Sequence, residues 1–484
     1  VVGSTIFNPE ELAKVTAPFT NRPITFAELI QVQEAITQLY ERRGYRTSGA
    51  VIPPQTLEQG IVRVEVVEGT VEDIRVTGTR RLNPNYVRSR LAIGARQPLN
   101  QNQLVEALQL LQLNPLIQSI SAELSAGSRL GANFLDVRVN EAKTFNVQVE
   151  LDNNRSPAVG SLRRGARISE ANLLGQGDAL QVGYANTDGS NVIDFFYNYP
   201  VNPRNGGVFL EFQQSFNRIV EAPFDPLEIR ANSYNLNLGF RQPTIETPTR
   251  LMALGASAYY RESQTSILGV PLQLSAGADE KGNTQIPAVR FFQEWIERGA
   301  RFVFAARSEF NVGIGAFNDA RNGPPPNGKF LQWRGQLQWV QQFAPDTLLV
   351  VRSDLQFSNR PVTAFDQFSI GGQNSVRGYR QDLLLADNGI LASAEFRYPV
   401  LRLKPGWGIV QVVPFFDLGH VWNSSRRVNV DPNFLASVGL GLRWQQSNRF
   451  AFRLDWGIPL ITVDSNKDTW QEKGLTFSLV YNLF

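Results

Sequence analysis

From Lys143 onward, apolar and polar positions alternate with period two, the pattern of β-strands with one apolar and one polar face. Phe145, Val147, Val149 and Leu151 alternate with Asn146, Gln148, Glu150 and Asp152. Farther on, Phe302, Phe304, Ala306 and Phe310 oppose Arg301, Arg307 and Glu309, and Leu331, Trp333, Leu337 and Trp339 oppose Gln332, Arg334, Gln336 and Gln338. Leu349, Val351, Leu355 and Phe357 stand against Arg352, Asp354 and Gln356, and Phe450, Phe452, Leu454, Trp456 and Ile458 against Arg449, Arg453 and Asp455. The apolar face is broad and aromatic, while the other face carries charges of both signs. A water-soluble sandwich would turn a small, packable face inward and a polar face outward. Here the apolar face suits lipid and the charged face suits a wet lumen, as in a transmembrane β-barrel. The run Val410 to Trp422 states this most sharply. Asp417 shares one face with Phe415 and Gly419, opposite Val412, Phe416, Leu418 and Trp422.

The alternation predicts about sixteen strands of about 9 to 13 residues, long enough to cross a bilayer when tilted and even in number, as a closed antiparallel barrel requires. Tight connections are expected at Asp188-Gly189-Ser190 and at Pro203 to Gly207, and long ones at Glu262 to Gln285, at Asn318 to Gly328 with its Pro324-Pro325-Pro326 run, and at Asn359 to Asn388. Short turns should face the periplasm and long loops the outside.

Before Lys143 the period is helical, between short strands. Asn8-Pro9-Glu10-Glu11 places a capping residue, a proline at the first helical position and acids at the helix N-terminus, opening a helix to Phe19. Thr25-Phe26-Ala27-Glu28 has capping-box spacing and opens a second helix that Gly44 stops. Strand-like runs follow at Thr47 to Ile52 and Ile61 to Val67, with Val1 to Phe7 as an incomplete first strand. The order then recurs: a strand at Val71 to Thr77, helices at Asn83 to Leu91 and Asn100 to Leu113, and strands at Ile117 to Leu124 and Phe134 to Val139. A unit of about seventy residues repeated in this order predicts related α+β domains at 1–69 and 70–142, followed by the barrel at 143–484.

Composition changes this picture little. Hydrophobic residues make up 42% and the mean hydropathy is -0.21, because every second barrel residue faces water. The absence of cysteine excludes a disulfide scaffold and thiol metal sites. A net charge of +3 argues for no nucleic-acid partner. The chain opens at Val1 with neither a charged segment nor an apolar one, so an exported protein would be seen in mature or trimmed form. His420, the one histidine, falls on the lipid side near the membrane boundary. With no histidine cluster and no glycine-rich phosphate loop before a helix, the residues point away from an enzyme, a metal or a cofactor.

Gly371-Gly372-Gln373-Asn374-Ser375-Val376-Arg377-Gly378-Tyr379-Arg380, followed by Phe415-Phe416-Asp417-Leu418-Gly419, resembles the paired VRGY/F loop and FxDxG strand motifs of the BamA-like outer-membrane superfamily. The element order of the first 142 residues is that of POTRA domains. Arg43-Gly44-Tyr45, Pro53-Pro54-Gln55 and Val66-Val67-Glu68-Gly69 are similar to the first-POTRA pattern of the TpsB transporters of two-partner secretion, the ShlB/FhaC/HecB type. The terminal strand Leu475, Phe477, Leu479, Tyr481, Leu483 ending at Phe484 also resembles the signal read by outer-membrane assembly machinery, although a last strand that simply ends hydrophobic would look the same.

The resemblance implies a pore, acting as a monomer in outer-membrane lipid, that takes an unfolded TpsA-type exoprotein from the periplasm and threads it outward. It implies further that Arg377 meets Asp417 with two parallel hydrogen bonds, that Gly378 permits close backbone approach, and that Tyr379 packs on the wall near Gly419 beside Phe415. These six residues form an expected lock between loop and barrel. For client binding, the second domain offers Ile117, Ser119, Ile120 and Leu124 on an edge strand, beside Leu104, Leu108 and Leu111 on the preceding helix, where a client could add a strand. A BamA-like insertase and a passive porin stand as the alternatives. Transporters of this type commonly carry an N-terminal plug helix, and this chain begins inside the first POTRA domain.

Overall fold

The computed structural model describes residues 1–56, 60–318, 322–323, 325–424, 427–463 and 469–484. The chain divides into two compact units, Val1–Thr144 with Leu174–Gly177, and Phe145–Leu173 with Asp178–Phe484.

In the smaller unit, the helix Pro9–Thr16 begins at Asn8, whose side chain accepts from the N–H of Glu11 while the Glu11 carboxylate caps the Asn8 N–H in return. The helix Phe26–Arg42 repeats that device with Thr25 and Glu28. Gly44 takes φ +88°, which only glycine adopts freely, and ends it. Val32, Ile36 and Tyr40 line the buried side, spaced for one helical face, and meet Phe7, Leu12, Ala50, Val64 and Val66 in one core. The two flanking strands are shorter than the alternation suggests. Gly49–Val51 pairs with Glu65–Val67, and Val2 contributes a single parallel bridge to Glu65 in place of a first strand. Gln55 lies between these strands, where its side-chain amide accepts from the Arg63 N–H at 2.8 Å and donates to the Arg63 carbonyl at 2.8 Å.

The second half of this unit follows the expected order more fully. Helices Pro84–Gly94 and Gln101–Gln112 are capped by Asn83 and Asn100. The strands Thr70–Thr77, Ala132–Glu141 and Ile117–Ala126 form a sheet with Ala132–Glu141 in the middle, parallel to the first and antiparallel to the last. Ile117–Ala126 is therefore an edge strand.

The larger unit is a closed antiparallel barrel of sixteen strands. They are β1 Phe145–Asp152, β2 Arg163–Glu170, β3 Ala179–Asn186, β4 Ser190–Pro200, β5 Gly207–Arg218, β6 Arg230–Glu246, β7 Arg250–Ile267, β8 Asn283–Arg298, β9 Phe302–Ile314, β10 Lys329–Ala344, β11 Thr347–Ser358, β12 Asn388–Arg402, β13 Ile409–Trp422, β14 Phe434–Gln446, β15 Phe450–Pro459 and β16 Leu475–Asn482. The barrel closes where Gln148–Asp152 of β1 pairs with 478–482 of β16. Alternation holds around the wall: Phe145, Val149, Phe291, Phe310, Leu331, Phe357, Phe416 and Trp456 face outward, while Asn237, Asn311, Gln332, Gln356, Glu395, Asp417 and Asp455 are buried inside. No helix among the described residues is long and apolar enough to cross a membrane, which the strands do instead.

Connections at the two barrel ends differ sharply. Where the chain enters at Phe145, the links are short, including 247–249, 299–301, 345–346 and 447–449. At the other end run 219–229, 268–282, 315–328, 359–387, 423–433 and 460–474. Two expectations change here. Asp188-Gly189 makes a tight turn, but between β3 and β4 at the long-loop end, so shortness alone does not give the side. The long connection expected over Glu262 to Gln285 is shorter, 268–282, because β7 and β8 continue their pairing from Arg250↔Glu297 to Gln264↔Asn283. Their outer ends are polar, and polarity there reflects residues that have left the membrane while still in the ladder. Of the proline run, Pro324 lies outside the described residues.

Candidate functional site: a loop docked inside the barrel

The loop 359–387 folds back into the lumen. Phe368–Ile370 and Leu384–Ala386 pair as a small hairpin, and their side chains join Val376, Tyr379, Leu391, Val421 and Leu435 in an apolar cluster. The base of the loop is tied by buried carboxylates. Asp366 accepts from Arg261 at 2.6 Å, and Asp387 accepts from Arg427 at 3.1 Å and from the N–H of Val362 at 3.0 Å. Arg380 reaches sideways with a two-bond contact to Glu221 at 2.7 and 2.9 Å, and to Glu472 at 3.2 Å, so three outer loops share one guanidinium.

At the tip sits Arg377, which has no solvent exposure. Its Nε and Nη2 donate to the two oxygens of Asp417, each at 2.7 Å, the planar match of guanidinium to carboxylate. Its backbone N–H donates to the same carboxylate at 3.1 Å. Nη1 donates to Glu395 at 3.0 Å and lies 3.6 Å from Asp455, while the guanidinium stacks 3.5 Å above the Phe415 ring. Ser393 donates to Asp417 at 2.6 Å and accepts from Nη2 at 3.3 Å. Strand register explains the convergence: Ser393 opposes Asp417, Glu395 opposes Phe415, and Phe415 opposes Gly439 on the next strand.

Each carboxylate has further cations except one. Glu395 accepts from Arg397 at 2.6 Å and Arg443 at 3.1 Å, and Asp455 lies 2.5 Å from Arg453. Asp417 has no cationic partner but Arg377 among the described residues. A buried carboxylate without a partner is costly, so this one depends on the loop.

Glycines make the approach possible. Gly378 has φ +93°, and a Cβ there would meet the Gly457 backbone at 2.9 Å. A Cβ on Gly457 would lie 2.5 Å from the Gly378 nitrogen. Gly439 leaves room for the Phe415 ring, which a Cβ would meet at 2.3 Å. One expected contact is different: the space above Gly419 is filled by Val376 and Ile370, not by Tyr379. Tyr379 instead points its hydroxyl at the carbonyls of Ala436 and Ile461, at 2.9 and 3.0 Å, and accepts from the Ile461 N–H. Glu395, Asp455, Ser393 and Gly457 were not singled out from the sequence. A charge on the face opposite the aromatic one was legible at Asp455, but only register brings it to the same arginine.

In the smaller unit, Ser119 is exposed, Leu124 is 36% exposed, and Ile120 and Leu108 are half-buried. Leu104, Leu111 and Ile117 are buried, so they support the edge strand from beneath and cannot touch an added strand directly. A groove of about 490 Å³ lies in the barrel between Arg352, Ser393 and Asn374, and one of about 810 Å³ runs past Ser119, Ile120 and Ser121 with Arg80, Arg138 and Lys143 on its rim. Nearby, Glu141 accepts the N–H groups of Arg80 at 2.6 Å and Leu82 at 2.9 Å. Glu68 accepts from the Thr5 N–H at 2.7 Å and the Tyr40 hydroxyl at 2.8 Å. Burial pushes both carboxyls up, but these bonds outweigh it and hold them below their ordinary value. His420 is stacked on Trp422 at 5.3 Å, an aromatic boundary position, and no grouping of metal ligands occurs among the described residues.

A family description reading "Haemolysin secretion/activation protein ShlB/FhaC/HecB" matches residues 131–444, and "POTRA domain, ShlB-type" matches residues 1–69. The chain is 23% identical over 483 residues to the heme/hemopexin transporter protein HuxB of Haemophilus influenzae, covering 96% of this chain and 82% of that one. It is 24% identical over 483 residues to the outer membrane transporter CdiB of Escherichia coli, covering 96% and 78%. The solved structure of CdiB from Escherichia coli superposes with a TM-score of 0.74 at 20% identity, over 99% of this chain and 89% of that one, a likeness of fold.

Proposed function

The chain belongs to the haemolysin secretion/activation family ShlB/FhaC/HecB, and from that premise we propose that its loop 359–387 is a reversible closure of the pore through which it exports an exoprotein. The protein is an outer-membrane transporter of the two-partner secretion type, with its POTRA region in the periplasm and no enzymatic role. The observation that carries the loop reading is the full burial of Arg377 on three lumenal carboxylates, where side-chain packing and polar bonds rather than a continuous ladder hold the loop. Polar bonds of this kind re-form after breaking, and the carboxylates stay on the wall when the loop leaves.

Residues 70–142 act in this reading as the second POTRA domain. Its edge strand Ile117–Ala126 turns a row of N–H and C=O groups outward beside a cation-rimmed groove, with the Gln112 side chain holding the Ile120 N–H and the Gln118 carbonyl, and an unfolded chain can add a strand there without a fixed sequence by displacing that side chain. Ser119, Ile120 and Leu124 are the contacting residues, and Leu104, Leu108 and Leu111 hold the strand in place. The chain has no nucleotide-binding loop. Folding or capture of the client outside supplies the direction.

The test is co-expression with the exoprotein encoded beside this gene, comparing surface release for the intact chain, for Arg377→Ala and for a deletion of 70–142. Release that needs this protein and drops in both variants, with the barrels still in the membrane, supports the reading. Unchanged release accompanied by failed assembly of other outer-membrane proteins would move it to the insertase.

A further inference from the structure

Arg352 of β11 faces the lumen with no hydrogen bond or ion pair among the described residues, and its Nη2 is buried without a partner. A guanidinium is a strong, obligatory donor, and leaving one unsatisfied in a wall otherwise laced with ion pairs is costly. The position of this arginine in the ladder gives it a use.

Arg352 pairs with Ser393 on β12, and Ser393 pairs with Asp417 on β13. The three residues therefore lie in one row on one face, with the smallest in the middle. Neighbouring strands are about 4.8 Å apart, so Arg352 and Asp417 are separated by roughly 10 Å at the backbone, a gap that a long arginine and a short aspartate close between them. Ser393 is too short to block that path. A cavity of about 490 Å³ is lined by both Arg352 and Ser393, together with Asn374 of the loop, and gives the side chain room to swing.

We propose that Arg352 is the standby counter-ion of Asp417, moving onto it when Arg377 and the loop leave. This rests on the reading that the loop releases. The other carboxylates need no such substitute, since Glu395 keeps Arg397 and Arg443, and Asp455 keeps Arg453. Only Asp417 would be stranded. With Arg352 in place, the released state holds its charges paired, and its unpaired arginine in the docked state is satisfied as well. Both effects favour release without adding a contact to the docked loop. Arg352 is thus a positioning residue for transport, acting on the wall and not on the client.

The experiment is planar-bilayer recording of the full chain in potassium chloride, reading the lifetime and probability of the large-conductance state. Arg352→Gln shortens that state's lifetime roughly five- to tenfold, the scale of a partly solvated ion pair, while the closed state keeps its conductance. In an Asp417→Asn background the same substitution has no effect, because there is no charge left to pair. Arg352→Lys keeps the charge and stays near the parent lifetime, and it carries the test if the glutamine variant does not assemble. A lifetime unchanged by Arg352→Gln, an equal loss in the Asp417→Asn background, or a Lys variant as impaired as Gln would each overturn the proposal. Failure of the loop reading looks different: Arg377→Ala and Asp417→Asn would then leave the large-conductance state as it is in the parent.

Discussion

Arg377 touches five other side chains, and they differ in what its removal does to them. Glu395 and Asp455 retain arginines, whereas Asp417 is left beside Phe415 with no docked cation, held only by the Ser393 hydroxyl and the backbone N–H of residue 377. Breaking one side of such a pair costs about 3 to 5 kcal/mol, less where water reaches it. Arg377→Ala is therefore expected to undock the loop while the ladder of β12, β13 and β14 keeps the barrel intact. Protease sensitivity within 359–387, set against resistance of the strands, checks this. Gly457→Ala is a second route to the same state, because its Cβ would fall 2.5 Å from the Gly378 nitrogen. We expect about 1 to 3 kcal/mol of lost docking, read by the same proteolysis. Asp417 was legible in the sequence as a charge in an apolar strand, and its partner came from the motif resemblance. Gly457 was invisible, since nothing local distinguishes a glycine that merely loosens a strand from one that admits another backbone.

Among the elements, the capped helices were the most legible. Asn8 and Thr25 cap where their spacing places them, and Asn83 and Asn100, where the next two helices are expected to begin, cap those. The flanking strands of the first domain are shorter than their alternation predicts, because Gln55 bonds the Arg63 backbone from its side chain and the alternation there does not mark a ladder. Glu68 and Glu141 make local stability depend on pH. Each carboxyl is held below its ordinary value near 4.5, so its contribution is fully present above that value and is lost as pH falls through the folded one. Hydrogen exchange at Thr5–Ile6 and Arg80–Leu82, corrected for the intrinsic rate, should rise below about pH 4 by more than elsewhere in the unit. Glu141→Gln should remove that dependence at 80–82. On the edge strand, Ile120→Pro takes away the N–H that the Gln112 side chain holds at 3.1 Å and that an added client strand would take over. Reduced exoprotein release with an unchanged barrel is expected, and unchanged release would place client binding elsewhere.

For the whole molecule, the even strand number, the lipid face and the inward loop were readable because they repeat or stand out against a repeat. The ends were less so: β6, β7 and β8 run on beyond the membrane, and Asp188-Gly189 turns tightly among long loops. A cysteine-free chain lets the orientation be tested directly. Ser275→Cys, in the link 268–282, should react with an impermeant thiol reagent on intact cells, and Ser447→Cys, in the link 447–449, only after the outer membrane is opened. The same absence of cysteine permits a lock. The Cβ position of Gly419 is 3.0 Å from Cγ2 of Val376, so Val376→Cys with Gly419→Cys can tether the loop to the wall. The most direct measurement is exoprotein release from cells carrying this pair, before and after oxidation and again after reduction. Release that stops on oxidation and returns on reduction is the predicted result; release that continues at the parent rate with the loop covalently docked would contradict the account.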